Sequence, residues 1–153
     1  GLVPPPLEDT ALVCRVISAI PFDVVLSDEN PLSKKAVLTL KDLAQETFIL
    51  FPRAVGPRLY DEIIALRHQE GFSPRKIIEA APAQSIVAMA ACNMGIGFVA
   101  SKLQHYARPL ATYRRLRGPG PRLTLGVIRA SERISPTVEK FVDIATMVGA
   151  SLR

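Results

Sequence analysis

Cysteine and histidine are scarce in this sequence, and their spacing argues against the usual chemistry of both. The chain has two cysteines and two histidines. Cys14 and Cys92 lie far apart, with neither CxxC nor metal-ligand spacing, so we expect free thiols rather than a disulfide. His68 and His105 have no serine or cysteine nucleophile and carboxylate beside them in a catalytic signature, so we expect both to be solvated. The sequence therefore predicts no metal site, no cofactor and no catalytic residue.

Long apolar runs are also missing. No run approaches the roughly 20 apolar residues that a membrane helix needs, so no membrane association is expected. The first residues contain no cationic segment followed by an apolar core, so no secretion signal is visible and we expect a cytoplasmic protein. The sequence opens without methionine, in GLVPPP, which is typical of a strand end, and we interpret it as a fragment.

Aromatic residues are few, at 6% of the chain, and tryptophan is absent. The net charge of +5 suits either nucleic acid or an anionic ligand. Because the lysines and arginines are scattered and stacking rings are rare, a nucleic-acid surface is not favoured. With 153 residues, 48% of them hydrophobic, the chain is expected to fold as one ordinary domain or as two small lobes.

The segment from 47 to 69, TFILFPRAVGPRLYDEIIALRHQ, is the one around which the chain is organised. Residues 48–51 are apolar and favour a buried strand, which Pro52 ends. Gly56 is predicted as the N-cap of a helix and Pro57 as its first residue, where the missing N–H costs nothing. The sequence therefore predicts a strand, a short loop and a helix N-terminus.

A helix N-terminus attracts anions through its unpaired amides and the helix dipole. Arg53 and Arg58 place two cations beside this one. Each could form a planar fork with a ligand carboxylate, or simply be a solvated surface arginine. We interpret the segment as a pocket for a small organic acid.

The remaining pattern alternates strands with helices. From residue 48 to residue 100 it predicts parallel strands covered by helices, with the loops 52–56 and 81–84 at the carboxyl ends of strands, facing one crevice. A last helix over 135–148 carries an apolar stripe, which suits either core packing or an interface: Val138, Phe141, Val142, Ala145 and Val148. The other predicted elements are strands over 12–20, 22–27, 76–80, 96–100, 110–116 and 123–129, a short helix capped by Thr39, and a helix over 85–92.

Two further motifs have ordinary structural interpretations. Gly95-x-Gly97 enters a strand rather than leaving one, so it is not expected to be a dinucleotide loop. Arg114, Arg115 and Arg117 could touch DNA phosphate, but an exposed strand end whose charge discourages edge pairing is the favoured interpretation.

Several segments together resemble the effector-binding domain of LysR-type transcriptional regulators: GLVPPPLEDTAL, FDVVLSDENPLSKK, LTLKDLAQETFILFPR, EGFSPRKIIEA and AMAACNMGIGFVASKL. Their order and spacing match the family over nearly the whole chain. Asn30-Pro31-Leu32 stands at the family's "HPL"-like turn, and Ala100 stands where the family usually has proline. The FILFPR segment is most similar to members that sense aromatic-catabolism acids such as muconate or benzoate.

This resemblance implies an α/β fold with periplasmic-binding-protein-like lobes, one complete and one partial, joined by two crossing strands. Residues 1–22 would belong to the partial first lobe and 23–31 to a crossing strand and turn. Residues 32–118 would form the complete second lobe. Residues 119–153 would supply the return strand and the C-terminal helix of the first lobe. The family's N-terminal helix-turn-helix, its linker helix and the early first lobe have no counterpart here.

The resemblance also implies site residues. By position, the family's effector contacts carry over to Gly56, Pro57, Arg58 and Leu59, to Ala83 and Gln84, and to Thr124; Arg53 is added from its charge and place in the loop. Gln84 could donate to a ligand oxygen or only to nearby backbone, and Thr124 could be an ordinary strand residue.

The function expected from this resemblance is sensing. A small organic acid would bind between the lobes and control DNA binding by the absent helix-turn-helix domain, in a protein that self-associates as a dimer or tetramer. A free-standing solute-binding protein for a small anion is the alternative. An α/β enzyme is a third hypothesis, which the missing catalytic constellation disfavours.

Overall fold

The structure, a computed structural model, describes residues 1–5, 10–69, 71, 76–102, 109–132 and 135–151. Contacts between residues divide the chain into two compact units, 1–20 with 122–153 and 21–121. Residues 23–31, which the resemblance implies to be a crossing strand and turn, are grouped with the second unit.

The first unit contains strand β1 (Leu2–Val3), the start of strand β2 (Leu12–Ser27), strand β8 (Arg122–Ala130) and helix α3 (Pro136–Ser151). Its strands lie in the order β1-β8-β2, and β1 runs antiparallel to β8. Helix α3 approaches β2 closely at Gly149, where a Cβ atom would lie 2.7 Å from the carbonyl oxygen of Ile17.

The apolar stripe predicted on α3 is divided between two faces. Val138, Val142 and Ala145 are half-buried, as the core interpretation requires. Phe141 and Val148 are exposed, and they share their side of the helix with two more exposed apolar residues, Ile144 and Met147. The sequence pattern alone did not separate these two faces.

The second unit contains the rest of β2 and the elements β3 (Val37–Leu38), β4 (Thr47–Leu50), α1 (Pro57–Gln69), β5 (Lys76–Glu79), α2 (Ala83–Ala91), β6 (Ile96–Ala100) and β7 (Ala111–Leu116). Its strand order is β3-β7-β2-β6-β4-β5. Strand β4 runs parallel to both β5 and β6, which confirms the parallel strands predicted from residue 48 to residue 100. Strands β6 and β7 run antiparallel to β2.

The central strands of this sheet are buried on both faces, as shown by the neighbouring residues Val24 and Val25 of β2. On one face α2 packs against β2, β4 and β6, in a cluster formed by Val25, Ile49, Ile86, Val87, Ala90 and Val99. Phe48 and Phe98 alternate with these strand residues and stack in a tilted pair, with ring centroids 5.6 Å apart. This core holds β4 and β5, the strands that lead to the candidate site.

Several sequence predictions of element bounds were wrong, among them the end of α3, which lies at Ser151 rather than at 148. The strands expected over 12–20 and 22–27 are one continuous strand, β2. The proline between them, Pro21, is exposed and precedes Phe22, where pairing with β6 begins, so its missing N–H does not interrupt that ladder. Helix α2 begins at Ala83, two residues before the expected start, because Pro82 is itself the N-cap and accepts from the amide of Ser85 at 2.9 Å.

Capping and turn residues predicted the short segments between strands more accurately. Thr39 caps the 3₁₀ helix Leu40–Leu43, as predicted, and Asp42 completes a capping box that was not predicted. The 3₁₀ helix Pro31–Lys34, in the turn expected at Asn30, was not predicted. None of the described helices is both long and apolar enough to cross a bilayer.

Candidate functional site

The loop after β4 forms the helix start that the sequence predicts. The amide of Val55 donates to the carbonyl oxygen of Pro52 at 2.9 Å, closing a turn directly after the strand. The amide of Tyr60 donates to the carbonyl oxygen of Gly56 at 3.0 Å, so Gly56 is the N-cap and α1 begins at Pro57. The amides of Arg58 and Leu59 come before that of Tyr60 in the first turn of α1. No carbonyl group of the helix therefore lies four residues before them.

The second loop lies at the same edge of the sheet. Strands β4 and β5 run parallel, with Leu50 opposite Glu79 at their carboxyl ends. The amide of Ala80 donates to the carbonyl oxygen of Leu50 at 2.9 Å, so the two strands stay paired to the point where they end. Helix α2 follows three residues later, and Pro82 supplies no side-chain cap to its first amides. Helices α1 and α2 therefore both begin at one edge of this sheet, and their dipoles favour negative charge there.

Seven of the eight predicted site residues belong to this edge. Pro57, Arg58 and Gln84 are exposed, and Gly56, Leu59 and Ala83 are half-buried. Arg53 is exposed in the loop. Thr124, the eighth, is a half-buried residue of β8 in the first unit.

The Arg53 side chain already has a carboxylate partner. Its Nε and Nη2 atoms donate to the two oxygens of Asp61, at 2.8 and 2.7 Å. Both side chains are exposed, and hydrogen bonding from Arg53 lowers the pKa of Asp61 below its ordinary value. Sequence reasoning did not identify Asp61. The sequence does contain a signal that could have identified it, because Asp61 is an acidic residue one turn inside a helix that starts beside an arginine-containing loop.

The glycines before β6 serve packing, which agrees with the expectation that they are no dinucleotide loop. A Cβ atom on Gly97 would overlap the Cγ2 atom of Ile86, so this glycine lets α2 lie close to the sheet. Gly95 has a φ of 156°, and an added Cβ atom would clash with the backbone of Thr47, so glycine is needed where the chain approaches β4 before β6.

The interpretation of the arginine cluster at β7 needs correction. Arg114 is half-buried, and its Nε and Nη2 atoms donate to the carbonyl oxygen of Ser33, the Nε atom at 3.0 Å. Strand β7 pairs with both β2 and β3, so it is not an edge strand and needs no charge to protect an edge. Arg115 and Arg117 are exposed, as expected.

A cavity of about 530 Å³ lies within the first unit. Two arginines, two carboxylates and three valines line it: Val13, Arg15, Val127, Arg129, Glu139, Val142 and Asp143. None of the predicted site residues is among them. Because its charges balance, the cavity favours a small anion less than the helix starts of the second unit do.

The cysteines and histidines add no further candidate. Cys14 and Cys92 are both free, as predicted. Across the described ranges, no three histidine, cysteine, aspartate or glutamate residues are grouped so that they could hold a metal ion. The side chain of His68 and the whole of His105 lie outside the described part of the chain.

Comparison with known proteins agrees with the resemblance of the sequence. The transcriptional regulator AlsR of Bacillus subtilis is 26% identical over 145 residues, which cover 95% of this chain and 48% of AlsR. The regulator CatR of Pseudomonas putida is 28% identical over 138 residues, 90% of this chain and 47% of CatR. The chain thus spans about half the length of these curated relatives.

The fold agrees as well. The structure described as the BenM effector binding domain with its effector benzoate superposes with a TM-score of 0.84 at 19% identity, covering 99% of this chain and 69% of that one. The profile of the LysR substrate binding domain matches residues 1–149. The chain therefore belongs to the LysR substrate binding domain family, whose members here are transcriptional regulators.

Proposed function

We propose that this chain is the effector-sensing domain of a bacterial LysR-type regulator and that it binds a small organic acid. The observation that carries the proposal is the shared edge of the second unit, where α1 and α2 both begin at the ends of paired parallel strands. Relatives support the ligand class. The BenM domain is described with benzoate, and the QuiR effector binding domain, which superposes with a TM-score of 0.78, is described with shikimate. Both ligands are carboxylates.

The chemistry of this edge suits a carboxylate. First-turn amides can donate to its oxygens, and each such bond to a charged acceptor is stronger than a neutral one. Arg58, exposed at the second position of α1, supplies positive charge with a planar set of donors. The half-buried Leu59 and Ala83 supply apolar surface for the rest of the ligand. Thr124 remains a proposed contact, supported by the family resemblance.

The remaining parts of the proposal concern the whole protein. The regulator would act in the cytoplasm, bind DNA through a helix-turn-helix domain and self-associate. The acid would shift the regulator between two arrangements only by its difference in affinity for them. The alternatives, a free-standing solute-binding protein and an enzyme, are less well supported, because the matched relatives are transcriptional regulators.

Calorimetric titration of the full-length regulator tests the ligand site. Benzoate, shikimate and muconate would be the probes, and benzamide the uncharged analogue of benzoate. We expect at least one acid to bind, no binding of benzamide at the same concentration, and a loss of about tenfold in affinity for Arg58→Ala, as for a charge-assisted hydrogen bond.

Arg117→Ala is the matched control, because Arg117 is an exposed arginine of the same unit at the end of β7. The Arg117→Ala variant should bind the acid with the same affinity as the wild type. Equal affinity of Arg58→Ala and the wild type would remove Arg58 from the site, and failure of every acid to bind would contradict the proposed ligand class.

A further inference from the structure

The Arg53–Asp61 pair uses the same donors that a ligand carboxylate would need. Two nitrogens of the guanidinium donate to two oxygens of one carboxylate, at 2.8 and 2.7 Å. This parallel arrangement is the geometry in which arginine binds a free carboxylic acid. The pair lies where the proposed site lies, since Arg53 is in the loop that leads into α1 and Asp61 is one turn inside that helix.

We propose that Asp61 is a specificity-determining residue of the acid site: it occupies the Arg53 fork until a ligand carboxylate displaces it. The inference rests on the proposed function and adds a regulating residue that the family resemblance does not supply. In the ligand-free protein Asp61 holds the Arg53 side chain in one position. In the bound protein the ligand takes over both hydrogen bonds, and Asp61 turns to solvent.

Exposure makes this exchange inexpensive. The Arg53 side chain is 62% exposed and that of Asp61 51% exposed, so water solvates either group when the pair opens. Exposed pairs of this kind are weak, and salt screens them further. A buried pair would behave differently, because separating it would leave an uncompensated charge in the interior.

The competition also selects a ligand class. A carboxylate offers two coplanar oxygens and replaces both bonds that Asp61 makes. A neutral amide or a lone hydroxyl replaces one of them and leaves the other donor of Arg53 without an equivalent acceptor. Displacing Asp61 costs the same for every ligand, but a carboxylate regains both hydrogen bonds and an uncharged analogue only one, so the exchange favours acids.

Titration of the full-length regulator with benzoate, shikimate and muconate at fixed ionic strength tests this role. Asp61→Asn should bind the acid that the wild type binds about two- to fivefold more tightly, since it removes a competitor of the strength of an exposed ion pair. Asp61→Ala, which removes both carboxylate oxygens, should increase the affinity for the acid at least as much.

Glu62→Gln is the matched control, because it removes one negative charge from the neighbouring position of α1. It should leave the affinity within error of the wild-type value. In the background of Arg53→Ala, the further change Asp61→Asn should give no gain in affinity for the acid, since the donor for which Asp61 competes is gone.

The outcomes separate this inference from the proposed function. An unchanged or weaker affinity of Asp61→Asn, an equal gain in Glu62→Gln, or a gain that survives in the double variant overturns the role of Asp61 while the acid site stands. If neither the wild type nor any Asp61 variant binds an acid, the proposed function fails and this inference fails with it.

Discussion

At the scale of single residues, Asp42 shows how one side chain fixes a turn. It accepts hydrogen bonds from the Lys35 ammonium at 2.5 Å and from the amide of Thr39 at 2.8 Å, and Thr39 caps the 3₁₀ helix in return. The bond from Lys35, followed by that from the Thr39 backbone, lowers the pKa of Asp42 from 3.8 to about 2. A carboxyl group with a lowered pKa in the folded state stabilises the fold only while it is ionised.

Replacing Asp42 by asparagine should therefore destabilise the protein at neutral pH. Lys35 is half exposed, so solvent screening reduces the expected loss to about 1 kcal/mol, less than the full pKa difference implies. The difference in unfolding free energy between the variant and the wild type should be largest above the unfolded pKa near 3.8. It should fade as the pH falls through about 2, where the wild-type carboxyl group is protonated and uncharged, like the asparagine.

Urea unfolding at several pH values measures this difference. Glu29→Gln, at an exposed turn residue, is the control and should leave stability unchanged at each pH. A constant difference between Asp42→Asn and the wild type from neutral to acid pH would contradict the assigned cause.

The residue scale also shows the limits of sequence reasoning. Thr39, Gly56 and Pro57 were predictable because capping and helix initiation depend on neighbours within a few positions. The contact of Arg114 with Ser33 was not, since it depends on how two distant segments come together. The partner of Arg53 was missed although it lies in the first turns of the following helix. A charge pattern shows that an arginine is present but not which acceptor it meets.

At the scale of elements, Gly149 determines how closely α3 lies on the first unit's sheet. In a helix interior, glycine to alanine is ordinarily stabilising by about 1 kcal/mol. Here the added Cβ atom would lie 2.7 Å from the oxygen and 2.8 Å from the Cβ atom of Ile17, so the helix would have to move off β2.

We expect Gly149→Ala to destabilise the protein by about 1–3 kcal/mol, the usual cost of overpacking. Thermal unfolding measures this change, and its sign is the informative result. Ala145→Gly, on the half-buried face of the same helix, gives the ordinary propensity effect for comparison. A stabilised Gly149→Ala protein would show that α3 does not depend on this close approach.

Prediction of the elements succeeded where one pattern dominates. The parallel direction of β4, β5 and β6 followed from alternating strands and helices, because such connections favour parallel strands. The continuity of β2 through Pro21 and the early start of α2 were missed, since both depend on whether a particular N–H has a partner in the folded sheet or helix.

At the scale of the whole molecule, the two units differ in how much apolar surface they bury. Of the twenty buried hydrophobic residues in the described part of the chain, only Ile17, Ile20 and Val127 belong to the first unit. Seven of the ten large hydrophobic residues that are exposed there belong to it: Leu2, Val13, Val16, Phe141, Ile144, Met147 and Val148. Local stability follows buried contacts, so the second unit should be the more stable of the two.

Amide hydrogen exchange on this chain tests that difference. The amides of β4 and β6 should exchange more slowly than those of β1 and β8, by a factor that exceeds the spread within either unit. Equal protection of both pairs of strands would mean that the few buried residues of the first unit suffice to stabilise it.

The central proposal is that a carboxylate binds where α1 and α2 begin. Amide NMR of the isotope-labelled full-length regulator, titrated with benzoate, shikimate and muconate and with benzamide as the neutral control, measures this directly. The account predicts that the amide signals of Arg58, Leu59, Ala83 and Gln84 shift together with one dissociation constant for a bound acid and stay in place with benzamide. Shifts confined to residues outside these two helix starts, or equal shifts with benzamide, would contradict it.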